Sequence, residues 1–496
     1  MNRLNTLLFS AILVSNVSAE ELTDIQISSP VMDKATISNE AIEEVDTRNA
    51  VDGGDLLKNI NGVNAIRRGG HGLDPVIRGQ SDQRLNTFLD GAMVYGACSS
   101  KMDPASTYAN VNNYDSVTVI KGTQSVLFGA GGPGGAVSFK RVTNPVTKAE
   151  FKIGQNFDSN AGAYTTSGNI IVPLSSSAYF RLNGSSSDAG NYQTGSGIKP
   201  LTEYSTTDYT AIVGTLLSDG SKLEFNYTNN RQDKVGYPGL TMDIVYSYTD
   251  MYTLKYHRVT PLGMFTSVNF ELFNTDIDHL MDDFVLRGNT GNGAMAWPTA
   301  SDTYGGRMIG TIGSDIRAGI DYEHNTKDAE QNMVMNDMNV FMTYLWPGVE
   351  TEKLGLFFEK DLNNISFGLR YDQVELYPTR AADDPGGMMF KTANEVYTED
   401  YDGTIVATKR DFDNISGFLR FNKDLNDGES YINFSINERA PDTNELFHAK
   451  HNSNAMMRHV GNPNLSSERH MTIEVGYEGM LMGNHITGSV YYNDVD

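Results

Sequence analysis

The chain has 496 residues, of which 38 are Lys or Arg and 62 are Asp or Glu, so its formal charge is −24 and its pI is about 4.7. This balance excludes nucleic acid as an expected partner, because binding to phosphates needs a basic surface. Beyond the N-terminus the sequence has no run of about 18 apolar residues, so membrane-spanning helices are not expected. The 48 Gly, 25 Tyr and 22 Phe residues favour a large β-barrel instead.

Residues 1–19 have the pattern of a secretory signal peptide. Arg3 supplies the positive charge, residues 7–14 form a short apolar stretch, and Val-Ser-Ala at residues 17–19 is a small-residue cleavage site. We therefore expect an exported protein. Exported proteins commonly pair their cysteines, so the single cysteine, Cys98, indicates an intermolecular disulfide, a reactive thiol or a metal ligand.

The next part of the chain has a mixed pattern. Residues 20–35 are expected to form a short extended segment and a linker, and residues 36–145 a small α+β domain. Ser38 is a residue of the type that begins helices, and residues 55–60 form a helical pattern that Asn61 and Gly62 end. Strands are expected at 87–91, 116–120 and 136–140.

A glycine run at residues 129–134 matches the dinucleotide-binding fingerprint letter by letter. That fingerprint must open a helix whose N-terminus holds a pyrophosphate. Here Pro133 interrupts the run and a strand pattern follows it. We therefore expect a glycine-rich turn.

From residue 146 to residue 496 the apolar and polar residues alternate. Leu223, Phe225 and Tyr227 share one face of their segment, and residues 365–371, 432–436 and 471–477 repeat the pattern. Segments of about ten residues that are rich in Tyr and Phe and bounded by turns favour an antiparallel transmembrane β-barrel with a wet lumen. A soluble β-sandwich also alternates and stays open as an alternative.

Five short segments resemble, in their order, the plug domain of TonB-dependent outer-membrane receptors. They are residues 55–63, 76–79, 88–91, 117–122 and 127–129, and residues 438–447 and 461–465 resemble barrel segments of the same family. The resemblance covers essentially the whole mature chain. It implies a barrel of about 22 strands in outer-membrane lipid, with an α+β plug inside the lumen.

The resemblance also implies a partner, the energy-coupling protein TonB, and a segment near the mature N-terminus that TonB binds. The residues at that position are Leu22, Thr23, Asp24, Ile25, Gln26 and Ile27. Residues 146–496 are tight for about 22 strands of about 9–11 residues each, and residues 493–496 lack the aromatic ending that such barrels carry. We therefore expect C-terminal strands of the barrel to be missing from this chain.

Two residue pairs point to the ligand. Cys98 and Met102 flank a turn-forming Ser-Ser segment, and His279 and Met281 have the spacing that places two side chains on one face of a strand. Thiolate and thioether are soft donors that select Cu(I). Each pair alone also fits an inert cysteine or a chance neighbourhood.

Together the two pairs resemble the copper-receptor branch of the family, which combines a Cys-x-x-x-Met element on the plug with a His-x-Met element on the barrel. This implies that Cys98, Met102, His279 and Met281 bind copper as the transported ligand.

One alternative to copper import stays open, and two others are disfavoured. Haem or siderophore uptake on the same fold is the main alternative, because haem receptors carry a histidine between the two barrel segments, where this chain has His448, His451 and His459. An adhesion barrel or passive pore would not need a plug. An enzyme is not expected, since no catalytic combination of residues is evident.

Overall fold

The computed structural model describes residues 37–42, 50–288, 293–335, 338–386, 390–401, 405–425, 428–452, 458–482 and 484–496. The predicted signal peptide at residues 1–19 lies outside the described residues. The predicted linker and energy-coupling segment, with Leu22 to Ile27, also lie outside them.

The N-terminal part is an α+β domain, the plug, built on a five-stranded sheet of order β1-β6-β7-β4-β5 and a separate β2-β3 hairpin. Its strands are β1 (Ile37–Ala41), β2 (Val63–Ile66), β3 (Asp74–Ile77), β4 (Leu85–Leu89), β5 (Ala92–Met93), β6 (Ser116–Lys121) and β7 (Gly135–Lys140). Its helices are α1 (Gly53–Leu57) and single 3₁₀ turns at Asp82–Arg84, Ala105–Tyr108 and Val111–Asn113.

Most of the predicted plug elements are confirmed. The helix predicted at residues 55–60 is confirmed in part: α1 begins two residues earlier, where the Asp52 side chain accepts a hydrogen bond from the Asp55 N–H (2.8 Å), and it ends at Leu57, before Asn61 and Gly62. The predicted strands correspond to β4, β6 and β7, and the glycine run is the turn between β6 and β7. The helix start at Ser38 is wrong, because Ser38 lies in β1, opposite Val119 of β6. Pairing with a sheet overrides the local capping preference there.

Fifteen antiparallel strands form the large sheet. Each strand pairs with the strand of this sheet that precedes or follows it in the chain. They are β8 (Glu150–Asp158), β9 (Ala163–Pro173), β10 (Ala178–Ala189), β11 (Tyr204–Leu216), β12 (Lys222–Val235), β13 (Asp243–Arg258), β14 (Ser267–Asp282), β15 (Met295–Ile312), β16 (Ile316–Met335), β17 (Met338–Leu362), β18 (Ile365–Pro378), β19 (Arg410–Leu425), β20 (Gly428–Arg439), β23 (Glu468–Leu481) and β24 (Asn484–Val495). Among the described residues β8 and β24 each pair with one neighbour. The prediction that further strands belong to this barrel stays a prediction.

The connections between these strands carry small elements. They are α2 (Ala393–Asp400), which lies between β18 and β19, and α3 (Thr443–Phe447) and the hairpin of β21 (Ala449–Lys450) and β22 (His459–Val460), which lie between β20 and β23. No described helix has the length and apolar character needed to cross a membrane.

The sheet is polar on its inner face and apolar on its outer face. On β18, Arg370 and Asp372 are buried, whereas Leu369 and Tyr371 are 50% and 44% exposed. This is the reverse of a soluble sandwich, whose apolar residues face the core. The sandwich alternative is therefore wrong, and the barrel prediction is confirmed.

The plug packs against the inner face of the sheet through polar contacts. Four hydrogen bonds join the plug to strands in widely separated parts of the sheet. Arg181 of β10 donates to Asp115 of the plug (3.0 Å). From the plug, Tyr95 donates to Glu323 of β16 (2.7 Å), Ser125 to Glu359 of β17 (2.6 Å) and Arg84 to Glu468 of β23 (2.8 Å). Because these partners lie around the sheet, the plug occupies the lumen.

Candidate metal site

The segment from Cys98 to Met102 forms a tight turn between β5 and the Ala105–Tyr108 helical turn. The Cys98 carbonyl accepts a hydrogen bond from the Lys101 N–H (2.9 Å), and Lys101 has a φ of 55°. The turn reverses the chain, so Cys98 and Met102 return to one buried cluster, each with 2% of its surface exposed. The predicted turn is confirmed.

Asp103 holds this turn in place. Its carboxylate accepts hydrogen bonds from the N–H groups of Ala97 (2.8 Å) and Cys98 (3.0 Å) and from the Tyr108 hydroxyl (2.6 Å). Gly96 lies against the same residue, since a Cβ atom there would be 2.3 Å from the Asp103 carbonyl oxygen. Asp103 is not among the site residues that the sequence predicts. Its position directly after Met102 was the available signal.

The buried position of the Cys98 thiol favours its neutral form. Burial raises the pKa of this thiol well above its usual range, and the nearby Asp103 carboxylate acts in the same direction. Hydrogen bonds from the backbone N–H groups of Met102 and Ser100 oppose this rise in pKa but do not cancel it. A metal ion that binds the sulfur must therefore displace a proton.

His279 and Met281 lie near the end of β14 and face the plug. Both are fully buried (0% exposed), whereas Asp278, the residue before His279, is exposed. Met281 lies opposite Trp297 of β15. On the other side, the pairing of β13 with β14 is irregular beside Met281, and such bulges re-aim side chains. The prediction that His279 and Met281 share one face is confirmed.

The plug turn and β14 meet at a single place. The Cys98 Sγ lies 3.0 Å from the Met281 Sδ, across 183 residues of sequence. Met102 belongs to the same buried cluster. The His279 Nδ1 is 4.0 Å from the Asp103 carboxylate, too far for a hydrogen bond. The structure thus brings all four predicted residues to one side of the plug.

The His279 ring is buried without a partner. Neither Nδ1 nor Nε2 has a hydrogen bond among the described residues, although an unmade bond at a buried polar group costs about 1–3 kcal/mol. One thiol, two thioethers and one imidazole form a donor set that suits Cu(I). Within the described residues no three His, Cys, Asp or Glu side chains are placed to share a metal ion.

The barrel side also contacts the turn through α3. The Lys101 ammonium pairs with Asp82 of the plug and lies 3.0 Å from Asp442, the N-cap of α3. The Asn444 side chain donates a hydrogen bond to the Ser99 carbonyl (3.2 Å). A cavity of about 50 Å³ lies beside these residues and reaches Cys98. The contacts with Asp442 and Asn444 are not predicted from the sequence, because the partners lie more than 300 residues apart.

The three histidines of the haem alternative lie in the connection between β20 and β23. His448 is buried, which lowers the pKa of its imidazole to about 4. The His451 Nδ1 lies 3.7 Å from the Glu399 carboxylate, and His459 is exposed. In the described part of the chain, no contact joins these histidines to Cys98 or His279.

Two sequence profiles match the chain. The TonB-dependent Receptor Plug Domain matches residues 31–136, and the profile described as TonB dependent receptor-like, beta-barrel matches residues 136–496, which is more than half of the chain. No curated protein sequence matches it.

Solved structures of outer-membrane receptors resemble this fold. The copper transporter OprC has 24% sequence identity and a TM-score of 0.81, with 95% of this chain and 74% of that chain covered. The Serratia marcescens hemophore receptor HasR has 19% identity and a TM-score of 0.70, with 93% and 72% covered. The siderophore receptor PirA from Acinetobacter baumannii has 13% identity and a TM-score of 0.64, with 93% and 70% covered.

These neighbours differ in what they transport, so the likeness to them concerns the fold alone. The profile match to the barrel, together with the plug in its lumen, decides the family. The chain belongs to the family of TonB-dependent receptors, which are transporters of the Gram-negative outer membrane and not enzymes.

Proposed function

We propose that this receptor imports copper across the outer membrane and binds it through Cys98, Met102, His279 and Met281. The observation that carries the proposal is the contact of 3.0 Å between the Cys98 and Met281 sulfurs, next to a buried imidazole that lacks a hydrogen-bond partner.

The chemistry of the donors supports copper over iron chelates or haem. Soft sulfur ligands favour Cu(I), whereas iron is carried by oxygen donors or by a porphyrin. The donors are buried between the plug and the sheet. The similarity in fold to a copper transporter agrees with this proposal.

The test is the copper content of the purified, full-length receptor after anaerobic loading with Cu(I) and removal of the excess. We expect one copper ion per chain in the wild type and a large loss in Cys98→Ser. Met281→Leu tests the thioether ligand. Met264→Leu is its matched control, because Met264 is 67% exposed in the turn between β13 and β14. Equal copper in the wild type and in Cys98→Ser would contradict the proposal.

The same samples test the haem alternative through their visible spectrum. A strong haem band that survives Cys98→Ser and disappears in a His459 variant would favour haem uptake instead.

Transport should depend on TonB through residues 22–27. Deletion of these residues in cells short of copper should abolish uptake, while the purified variant should still bind copper. Unchanged uptake would contradict active transport.

A further inference from the structure

A second pair of metal-ligating side chains lies in the β21–β22 hairpin, away from the sulfur donors. His448 ends α3, and His459 lies in β22 opposite Lys450 of β21. The two imidazole rings have their centres 6.3 Å apart at an angle of 55°. The proposed copper uptake through Cys98, Met102, His279 and Met281 does not use these two histidines.

The hydrogen bond of His448 leaves one ring nitrogen available. Its Nδ1 lies 2.8 Å from the backbone carbonyl oxygen of His459. A carbonyl only accepts, so Nδ1 carries the proton and Nε2 keeps its lone pair. The hydrogen bond of Nδ1 does not involve Nε2. A ring N–H that donates to a carbonyl is the usual support of a metal-binding histidine, because it fixes the tautomer and the orientation of the ring.

The spacing of the rings suits a shared ion. With metal–nitrogen bonds of about 2.0–2.1 Å, two imidazoles on one ion have their centres roughly 5–6 Å apart. The observed distance of 6.3 Å lies just beyond this range. His459 also opens the pair to solvent, so that an ion can reach it.

The hairpin is held firmly enough to keep the pair together. The His448 carbonyl accepts a hydrogen bond from the Gly461 N–H (2.7 Å), and the Tyr397 hydroxyl of α2 donates one to the Phe447 carbonyl (2.7 Å). The two ends of the hairpin are therefore tied to each other and to α2.

Lys450 lies opposite His459 on the same strand pair, and its charge adds to burial in lowering the pKa of both imidazoles. The Lys450 ammonium lies over the Trp297 ring, 5.0 Å from its centre. Trp297 is the residue that lies opposite Met281 in the sheet. The hairpin therefore packs on the strand that flanks the proposed copper site.

We propose that the His448 Nε2 and the His459 ring form an outer binding site for a divalent metal ion, with Cu²⁺ bound most strongly. Imidazole is a borderline donor that suits Cu²⁺ and Zn²⁺, and Cu²⁺ has the highest affinity among the divalent first-row ions. The proposal rests on the proposed copper uptake for its biological meaning. It concerns a site of nitrogen donors that is separate from the four sulfur and imidazole ligands.

The test uses the full-length Cys98→Ser receptor, in which the sulfur site is disabled, titrated with Cu²⁺ and followed by electron paramagnetic resonance. We expect a signal with nitrogen hyperfine coupling that is lost when His459→Gln is added and, independently, when His448→Gln is added. His451→Gln is the matched control, because His451 lies in the same connection but faces Glu399, and it should leave the signal unchanged. The exposed position of His459 makes its variant the safer one for folding.

A nitrogen-coupled signal that persists in both the His459 and the His448 variants would overturn the proposal. Loss of the signal in His451→Gln alone would also overturn it. The copper content of the wild type against Cys98→Ser is measured separately, so failure of the sulfur site and failure of the histidine site are distinguishable.

Discussion

Removing His279 should stabilise the metal-free receptor while it weakens copper binding. The imidazole is fully buried and neither ring nitrogen has a hydrogen bond within the described residues. A side chain of this kind costs stability unless a metal ion uses it. We expect His279→Leu to show both effects.

The size of the stability gain follows from the unmade hydrogen bonds. One buried polar group without a partner costs about 1–3 kcal/mol, and leucine removes this cost at the expense of a modest mismatch in shape. The net gain should be about 1–3 kcal/mol. With an unfolding entropy of about 2.1 cal/mol/K per residue, a chain of this length should unfold about 1–3 °C higher. Loss of one ligand should weaken copper binding about 100-fold or more, which equals about 2.7 kcal/mol.

The assay is thermal unfolding of the chelator-treated protein in detergent, followed by tryptophan fluorescence, with the copper content measured in parallel. Met281→Leu is the control, because it removes a ligand but no hydrogen-bonding group, and a swap that conserves volume usually costs less than about 1.5 kcal/mol. A fall of several degrees in metal-free His279→Leu, relative to Met281→Leu, would refute the reasoning, since it would mean that the imidazole has a structural partner.

Three further predictions concern the plug turn. Burial raises the pKa of the Cys98 thiol, so each copper ion displaces a proton. The copper affinity, measured by competition with a chelator, should therefore rise about tenfold per pH unit between about pH 6 and 8. An affinity independent of pH would contradict this. Gly96→Ala should lower the copper content, because its Cβ atom would lie 2.3 Å from a backbone oxygen, whereas Gly195→Ala, with no atom within 4 Å, should not. Lys101→Met should weaken copper binding about tenfold, or about 1.4 kcal/mol, through loss of the ion pair with Asp442, and unchanged affinity in a titration would show that α3 does not position the turn.

Local spacing was sufficient to predict the two halves of the site. Residues two apart on a strand share a face whatever the rest of the fold does, so His279 and Met281 could be assigned to one side of β14. A turn between Cys98 and Met102 could likewise be inferred from the residues between them. The alternation of polar and apolar residues predicted the inner and outer faces of the barrel.

The parts that failed or were missed depend on contacts between distant residues. Ser38 has the local preference of a helix cap, but its backbone pairs with β6. Asn444 reaches Ser99 across 345 residues of sequence, and no short-range pattern encodes that meeting. The role of Asp103 depends on which N–H groups the folded turn directs toward it.

The contact between Cys98 and Met281 joins the plug to the barrel wall. Cys98 belongs to the plug and Met281 to the barrel wall, so a displacement of the plug by more than a metal–sulfur bond of about 2.3 Å would divide the proposed ligand set into two pairs. Each pair alone holds an ion far more weakly than the four donors do together, because simultaneous engagement is lost. The mechanical pull that opens the lumen would therefore also release the ion without reduction or a competing chelator, and the Cys98 sulfur would take back the proton that the ion had displaced.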